Sequence, residues 1–261
     1  VSVPANVVQD ESGNDNMASN TLSIVSATIT ETSRVVTKYI ARRSALLVGS
    51  QPDLTGLLSG SARGIFSASI TSSQGRFKFS TKPGSAIWAS MQGSKSRDGD
   101  SEGSYLFGVV GMHRKFSENM LAGVLLEYDY LEQDTGVSSV TGHGWMFGPY
   151  VVTKVPDQNL YFEGRLLYGQ SSNEISPFGT YTDDMDTERF LAMAKVSGEL
   201  QYDRTTLFPS LQFSYATDDQ EAYTDSVGNS IPSQGIALSE LELGIDFEKE
   251  ASALRGIRGL M

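Results

Sequence analysis

Near its end the chain reads Gly235-Ile-Ala-Leu-Ser-Glu-Leu-Glu-Leu-Gly-Ile-Asp-Phe-Glu248. From Glu240 onward every second residue is apolar, and the residues between them are acidic or glycine. Because successive side chains of a β-strand point to opposite faces, this strand has one apolar face and one acidic face. A row of carboxylates is costly in a packed core but costs little beside a water-filled lumen. The stretch therefore indicates a strand with lipid on one side and water on the other.

Similar alternation recurs upstream, and the sequence predicts a series of strands at 86–94, 104–115, 120–132, 142–153, 159–171, 189–202, 206–217 and 235–248. The later connections are short at 154–158, long up to Glu188, short at 203–205 and long up to Gln234. Tight turns at one end and long polar loops at the other are typical of outer-membrane barrels. The predicted fold class is all-β: an antiparallel up-and-down transmembrane β-barrel of about 8–10 strands, if a hairpin over 63–82 is counted.

Alternation alone leaves another interpretation open, because half-buried strands of soluble proteins also alternate apolar and polar residues. A soluble or surface-exposed β-sheet binding or adhesin module without pore activity would carry the same pattern. Aromatic residues near the strand ends favour the membrane interpretation, since aromatic girdles mark both interfaces of a barrel. These residues are Tyr128, Tyr130, Tyr168, Tyr202 and Tyr215.

Composition argues against several other functions. The formal net charge of −11 disfavours nucleic acid as a partner, because phosphates require a basic surface. Cysteine is absent, which removes thiolate ligands and a thiol nucleophile. The two histidines, His113 and His143, belong to no ligand-spacing or catalytic motif, so neither an enzyme nor a metal or cofactor site is predicted. The acidic run 183–188 could hold calcium, but it is more simply a solvated loop.

The first quarter of the chain differs from the rest. Residues 1–20 are predicted to be a flexible leader, 21–54 a basic helix with its linker, 55–250 the barrel domain and 251–261 a tail. The helix is predicted over 21–48, and Pro52 ends it because proline cannot continue the hydrogen-bond ladder. Its cations Arg34, Lys38 and Arg42 recur at every fourth residue and so share one face.

Several motifs follow one another in a recognisable order. They are Ala41-Arg-Arg-Ser44, Gln51-Pro-Asp53, Gly142-His-Gly-Trp-Met-Phe-Gly-Pro-Tyr150, Gly169-Gln-Ser-Ser-Asn173, Ile175-Ser-Pro-Phe-Gly-Thr-Tyr-Thr-Asp-Asp184, Ala222-Tyr-Thr-Asp-Ser226 and Ile231-Pro-Ser-Gln234. In order and spacing they resemble the translocator (β) domain of autotransporters over residues 30–248. The resemblance implies a bacterial outer-membrane barrel of type V secretion that anchors and exports an N-terminal passenger, with a helix threaded through its pore.

The resemblance also implies partners: outer-membrane lipid, an upstream passenger, and the barrel-assembly machinery with periplasmic chaperones during biogenesis. It departs from the family at the end of the chain. Family barrels have twelve strands and finish on an aromatic residue, whereas the strands predicted here are fewer and end in an irregular tail. An eight-stranded barrel has no room for a helix. Either the terminal strands are missing from this chain, or the helix lies outside the barrel, or the barrel closes differently. Of these we favour missing terminal strands.

The basic helix and the acidic remainder of the chain are predicted to attract each other, with the helix acting as a plug inside the pore. The residues predicted to make these contacts are Arg34, Lys38, Arg42 and Arg43 on the helix, and Glu163, Arg165, Glu199, Glu240 and Glu242 on the strands.

Overall fold

A computed structural model describes residues 5–7, 9, 12–15, 17, 22–59, 66–71, 74–80, 86–202 and 205–249. Two helices lie in this part of the chain, α1 (Leu22–Gly49) and the short α2 (Gly56–Ser59). Neither is both long and apolar enough to cross a membrane. The predicted leader falls largely outside the described residues, and the predicted tail 251–261 falls wholly outside them.

Everything else that is regular in the described residues is β-structure. The strands are β1 (Phe66–Thr71), β2 (Gln74–Ser80), β3 (Ile87–Asp98), β4 (Ser101–Ser117), β5 (Met120–Asp134), β6 (Ser139–Lys154), β7 (Leu160–Ser176), β8 (Asp183–Gly198), β9 (Leu200–Tyr202), β10 (Thr205–Gln220), β11 (Tyr223–Thr224), β12 (Ser230–Ile231) and β13 (Gln234–Lys249). The hairpin predicted over 63–82 is present as β1 and β2.

Antiparallel pairing follows chain order, as in an up-and-down barrel. The main sheet runs β1-β2-β3-β4-β5-β6-β7-β8-β10-β13, with β9 also paired to β10 and with β11 and β12 forming a separate hairpin. Among the described residues no ladder joins β1 to β13. Connections 118–119 and 155–159 lie at one end of the sheet, here called the turn end. Connections 135–138, 177–182 and 221–233 lie at the other, the loop end.

The sheet curls around α1. Arg42 Nη2 lies 2.6 Å from Ser96 Oγ on β3, and Thr37 Oγ1 donates to Gln234 Oε1 on β13 at 2.6 Å. In a flat sheet β3 and β13 would be about 34 Å apart, at about 4.8 Å per strand. A helix only about 10–12 Å across can reach both only if the sheet wraps around it. The helix therefore occupies the concave face.

The two faces of the sheet differ as the alternation predicts. Large apolar side chains point outward and are exposed, Leu243 at 79% and Leu166 at 53% of their surface. Others in this outward band are Leu106, Val110, Leu126, Tyr128, Trp145, Phe147, Phe162, Tyr168, Leu211, Phe213, Leu241, Ile245 and Phe247. On the opposite face Glu163 and Arg165 are buried beneath the linker that follows α1. The predicted fold class is confirmed.

The strands are longer than predicted. The sequence predicts a loop from the end of 159–171 to Glu188, yet β7 continues to Ser176 and β8 begins at Asp183. The ladder across this region pairs Asn173 with Met185 and Ser171 with Thr187. The prediction of a long loop here was wrong, because beyond the apolar band the outward residues become polar while backbone pairing continues.

The longest connection, 221–233, folds back on the loop end. Ile231 is fully buried, and the amide of Ser226 donates to Asp183 Oδ1 at 2.7 Å. Burial raises the pKa of the Tyr223 hydroxyl to about 12, so this phenol stays neutral. The connection thus packs beside the place where α1 meets Gln234.

Candidate functional site on the concave face

The most deeply buried stripe of α1 carries one charged residue among apolar ones. Val36, Ile40, Arg43 and Leu47 recur at helical spacing and are each at most 2% exposed. The apolar members of this stripe fix the rotation of the helix, because burying a large aliphatic side chain stabilises by about 1.5–3 kcal/mol. The apolar residues on either side of Arg43 therefore hold it against the concave face of the sheet from β3 to β13, which we call the wall.

Arg43 enters a buried ionic network that we call the arginine cluster, formed by Arg43, Asp129, Arg189 and Asp218. Arg43 Nε donates to Asp129 Oδ2 at 2.7 Å, and Arg189 Nη1 donates to Asp129 Oδ1 at 2.6 Å. Asp218 Oδ2 lies 3.5 Å from Arg189 Nε. Two cations and two carboxylates balance, which satisfies the condition that buried charges be paired. One cation belongs to the helix and the other three groups to β5, β8 and β10.

A neutral side chain extends this network. Asn173 Oδ1 on β7 accepts from Arg43 Nη1 at 2.5 Å and from the Tyr39 hydroxyl at 3.2 Å. The Asn173 amide nitrogen in turn donates to Ser171 Oγ at 3.0 Å and to the Met185 carbonyl at 3.1 Å. These bonds orient the amide oxygen toward α1, so the wall offers a prepared acceptor to two helix residues.

Glycines leave the space that these side chains fill. A Cβ placed on Gly142 would lie 2.4 Å from the Tyr39 hydroxyl oxygen, and one on Gly144 would lie 2.8 Å from Arg43 Nη2. A Cβ on Gly103 would lie 2.5 Å from Arg42 Nη2. Three helix side chains thus each rest against a glycine, and a larger residue at any of these positions would force the facing side chains to move.

The other predicted helix contacts are placed differently. Arg34 forms an ion pair with Glu31 one turn earlier on its own helix, and Lys38 is exposed. Arg42 is partly buried and reaches the hydroxyl of Ser96, not a carboxylate. Within the described residues, Arg43 is the helix cation that has a wall acid as its recorded partner.

The predicted strand residues also separate into two groups. Glu163 and Arg165 are buried, form an ion pair with each other and contact the linker after α1, not the helix. Glu240 and Glu242 are exposed on β13, and Glu199 is partly exposed at the break between β8 and β9. The structure thus brings Glu163 and Arg165 to the concave site and leaves the other three acids without a described contact to α1.

The prediction missed Asp129, Asn173, Arg189 and Asp218. Each carried a usable signal, since each lies on the face opposite the outward apolar residues of its strand. On β5, Asp129 alternates with the exposed Leu126 and Tyr128. A charged residue on the inward face of a barrel strand is a candidate contact for whatever fills the lumen. Which of them meets the helix depends on long-range pairing that alternation does not encode.

The histidines do not form a site together. The His113 ring nitrogen Nδ1 lies 3.0 Å from the Tyr150 hydroxyl, which also accepts a hydrogen bond from Trp88 Nε1 at 2.7 Å. His143 points outward and stacks on Tyr128. Among the described residues no group of three or more acidic or histidine side chains is arranged to hold a metal ion.

A curled antiparallel sheet with an apolar exterior and a helix docked inside is now established. A family model described as the autotransporter beta-domain matches residues 87–256, which spans β3 to the end of the described sheet. The chain belongs to the autotransporter β-domain family. As an autotransporter β-domain it is an outer-membrane, barrel-type domain of the translocator class, a class not typically enzymatic. The family match begins downstream of α1, so the arginine cluster lies partly inside the matched region and partly outside it.

Two solved structures are similar to this chain at low sequence identity. The siderophore receptor PiuA from Acinetobacter baumannii aligns with a TM-score of 0.31 and 9% identity, over 66% of this chain and 36% of the receptor. The copper transporter OprC aligns with a TM-score of 0.33 and 9% identity, over 69% of this chain and 34% of the transporter. The autotransporter chain thus spans about a third of the length of each. A comparison with curated proteins finds no match.

Proposed function

We propose that this autotransporter β-domain exports a passenger attached upstream of α1, and that α1 stays in the lumen as plug and tether. Family membership supplies the translocator class and the outer-membrane location. The contacts of α1 with β3, β5, β7 and β13 support its role as a plug, because a helix touching strands on several sides leaves little open cross-section beside it.

The direction of α1 supports its role as a tether. Thr37 meets Gln234, which lies at the loop end, whereas Leu54 meets Glu163 near the turn end. The chain therefore enters the lumen at the loop end and runs toward the turn end. Long loops of outer-membrane barrels face the exterior and short turns face the periplasm. With that orientation, whatever precedes α1 emerges outside the cell.

The observation that carries the proposal is the ion pair between Arg43 and Asp129, each at most 2% exposed. A buried ion pair adds little net stability, but removing one partner costs about 3–5 kcal/mol because the other charge is left unpaired. The pair thus penalises withdrawal of α1 from the lumen. It also explains why this position is charged while its helical neighbours on the same stripe are apolar.

Replacing Arg43 tests the plug. We expect Arg43→Ala to raise the ionic conductance of the protein in planar lipid bilayers, because Asp129 and Asn173 lose their helix partner. The matched control is Arg34→Ala, which removes the same side chain from α1 but breaks only its pair with Glu31 on the same helix. Equal conductance of both variants and the parent, with all three folded by heat-modifiable gel migration, would contradict the plug.

The remaining partners follow from the same proposal. We infer that the barrel-assembly machinery and periplasmic chaperones handle the domain before insertion, because its exposed apolar band requires protection in water. That band also weighs against the soluble binding or adhesin module. The leucines and phenylalanines of the band, 37–79% exposed, would lie in water in such a module.

A further inference from the structure

The segment Ser50–Leu54, which we call the latch segment, follows α1 directly and is held by the wall through its backbone. Alternate residues of the segment make these bonds. They join Gln92 Nε2 to the Ser50 carbonyl at 2.8 Å, Arg165 Nη2 to the Pro52 carbonyl at 2.6 Å, and the Leu54 amide to Glu163 Oε2 at 2.8 Å. The wall thus offers a donor to each of the two carbonyls and an acceptor to the amide.

The intervening residues of the latch segment are held through their side chains. Gln51 Nε2 donates to Glu127 Oε2 at 3.0 Å, and Arg165 Nη1 donates to Gln51 Oε1 at 2.8 Å. Lys195 Nζ donates to Asp53 Oδ2 at 3.0 Å. Every residue from Ser50 to Leu54 therefore makes at least one hydrogen bond to the sheet. Their partners come from β3, β5, β7 and β8.

The inward face of β7 beneath the latch segment carries an ion pair of its own. Arg165 and Glu163 are 2% and 4% exposed and form an ion pair with each other. Because both project inward from β7 two residues apart, the pair presents a donor and an acceptor side by side. This is the arrangement that a peptide backbone, with its alternating carbonyl and amide groups, can satisfy. Removing the segment would leave Glu127, fully buried, without its Gln51 partner.

We propose that this part of the concave face is a binding site for extended polypeptide, that the latch segment is its occupant, and that binding here keeps the plug closed. The inference rests on the proposed plug function. It assigns the retention of α1 to the end of the helix distant from the passenger. The lumen therefore stays closed when the chain upstream of α1 is cut, because the contacts that hold the plug lie downstream of the cut.

The test alters the occupant and leaves the wall intact. In the double variant Gln51→Ala/Asp53→Ala the hydrogen bonds to Glu127, Arg165 and Lys195 from the two side chains are lost. We expect the open fraction in planar bilayers to rise roughly tenfold or more, since hydrogen bonds to charged groups are the stronger class. Gln170→Ala/Asp184→Ala is the matched control, because it removes the same two side-chain types from the exposed outward face.

A synthetic peptide distinguishes loss of binding of the latch segment from a general destabilisation of the domain. Added from the turn side, a peptide with the sequence of residues 48–56 should reduce the conductance of the double variant, whereas the same peptide with both alanines should not. Opening without rescue would overturn the polypeptide-binding site. Closure as tight as the control, while Arg43→Ala opens, would overturn the latch and leave the plug standing. If Arg43→Ala also leaves the pore closed, the plug itself is wrong.

Discussion

Gly142 and Gly144 lie two residues apart on the inward face of β6, and the sequence alone predicts that they permit a bend or close packing. The structure assigns the close packing to specific partners. Any side chain on Gly144 would meet Arg189 Nη1 at 2.4 Å, Arg43 Nη2 at 2.8 Å and Ser171 Cβ at 2.9 Å. The spacing of the two glycines was visible in the sequence. Their partners were not, because they come from α1, β7 and β8.

Filling the space at Gly144 tests how tightly the two arginines are packed. We expect Gly144→Ala to lower the free energy of unfolding by about 1–3 kcal/mol, because overpacking forces both arginines away from Asp129. The measurement is urea titration of the protein in lipid vesicles. Gly108→Ala on β4 is the control, since a Cβ there meets nothing within 4 Å. A loss no greater for Gly144→Ala than for the control would show that the arginines tolerate displacement.

At the scale of single elements, some properties of α1 could be predicted from the sequence and others could not. Its existence and extent were predictable from its helical spacing and from Pro52. The spacing of Arg34, Lys38 and Arg42 suggested a docking face, yet the apolar stripe decides which side meets the wall. Arg43 lies on that stripe, three residues after the buried Ile40, and its role follows from this phase. Burial of apolar area outweighs surface charge in orienting a helix, since exposed ion pairs contribute about 0–1 kcal/mol.

The strands, like α1, were predictable only in part from the sequence. Within the apolar band, alternation located every long strand, because lipid and lumen impose opposite polarities on successive residues. Beyond the band β7 and β8 continue with Ser172 and Asp186 pointing outward and Asn173 and Met185 buried. Because the outward side faces water there, its residues are polar and the apolar–polar alternation disappears. The backbone hydrogen bonds between the two strands nevertheless continue. The ends of these strands therefore could not be predicted from the polarity of the sequence, whereas the assignment of residues to the two faces was correct.

The edge of the apolar band can be located on one strand. Leu166 and Gln170 point outward from β7, four residues apart and on either side of Tyr168. We expect Leu166→Arg to lower the free energy of unfolding in vesicles by about 1–4 kcal/mol and Gln170→Arg by about 1 kcal/mol or less, because a cation is penalised according to its depth in lipid. Urea titration in matched vesicles measures both. Equal losses would place the two residues in the same medium and contradict the band.

On the scale of the whole chain, α1 runs from the loop end toward the turn end, so the start of the helix lies at the same end of the sheet as the long connections. The sequence predicted a plug and an upstream passenger through resemblance. The direction of α1 could not be inferred from the sequence, since it depends on Thr37 meeting Gln234 and on Leu54 meeting Glu163.

This direction is testable in intact cells because the chain has no cysteine of its own. We expect Val227→Cys, in the exposed 221–233 connection, to react with a membrane-impermeant maleimide added to whole cells. Glu118→Cys, in the 118–119 turn, should react only after the outer membrane is permeabilised. Both positions are exposed in the structure, so their difference reports sidedness and not burial. The reverse pattern would invert the domain, place the start of α1 in the periplasm and remove the route by which a passenger reaches the surface.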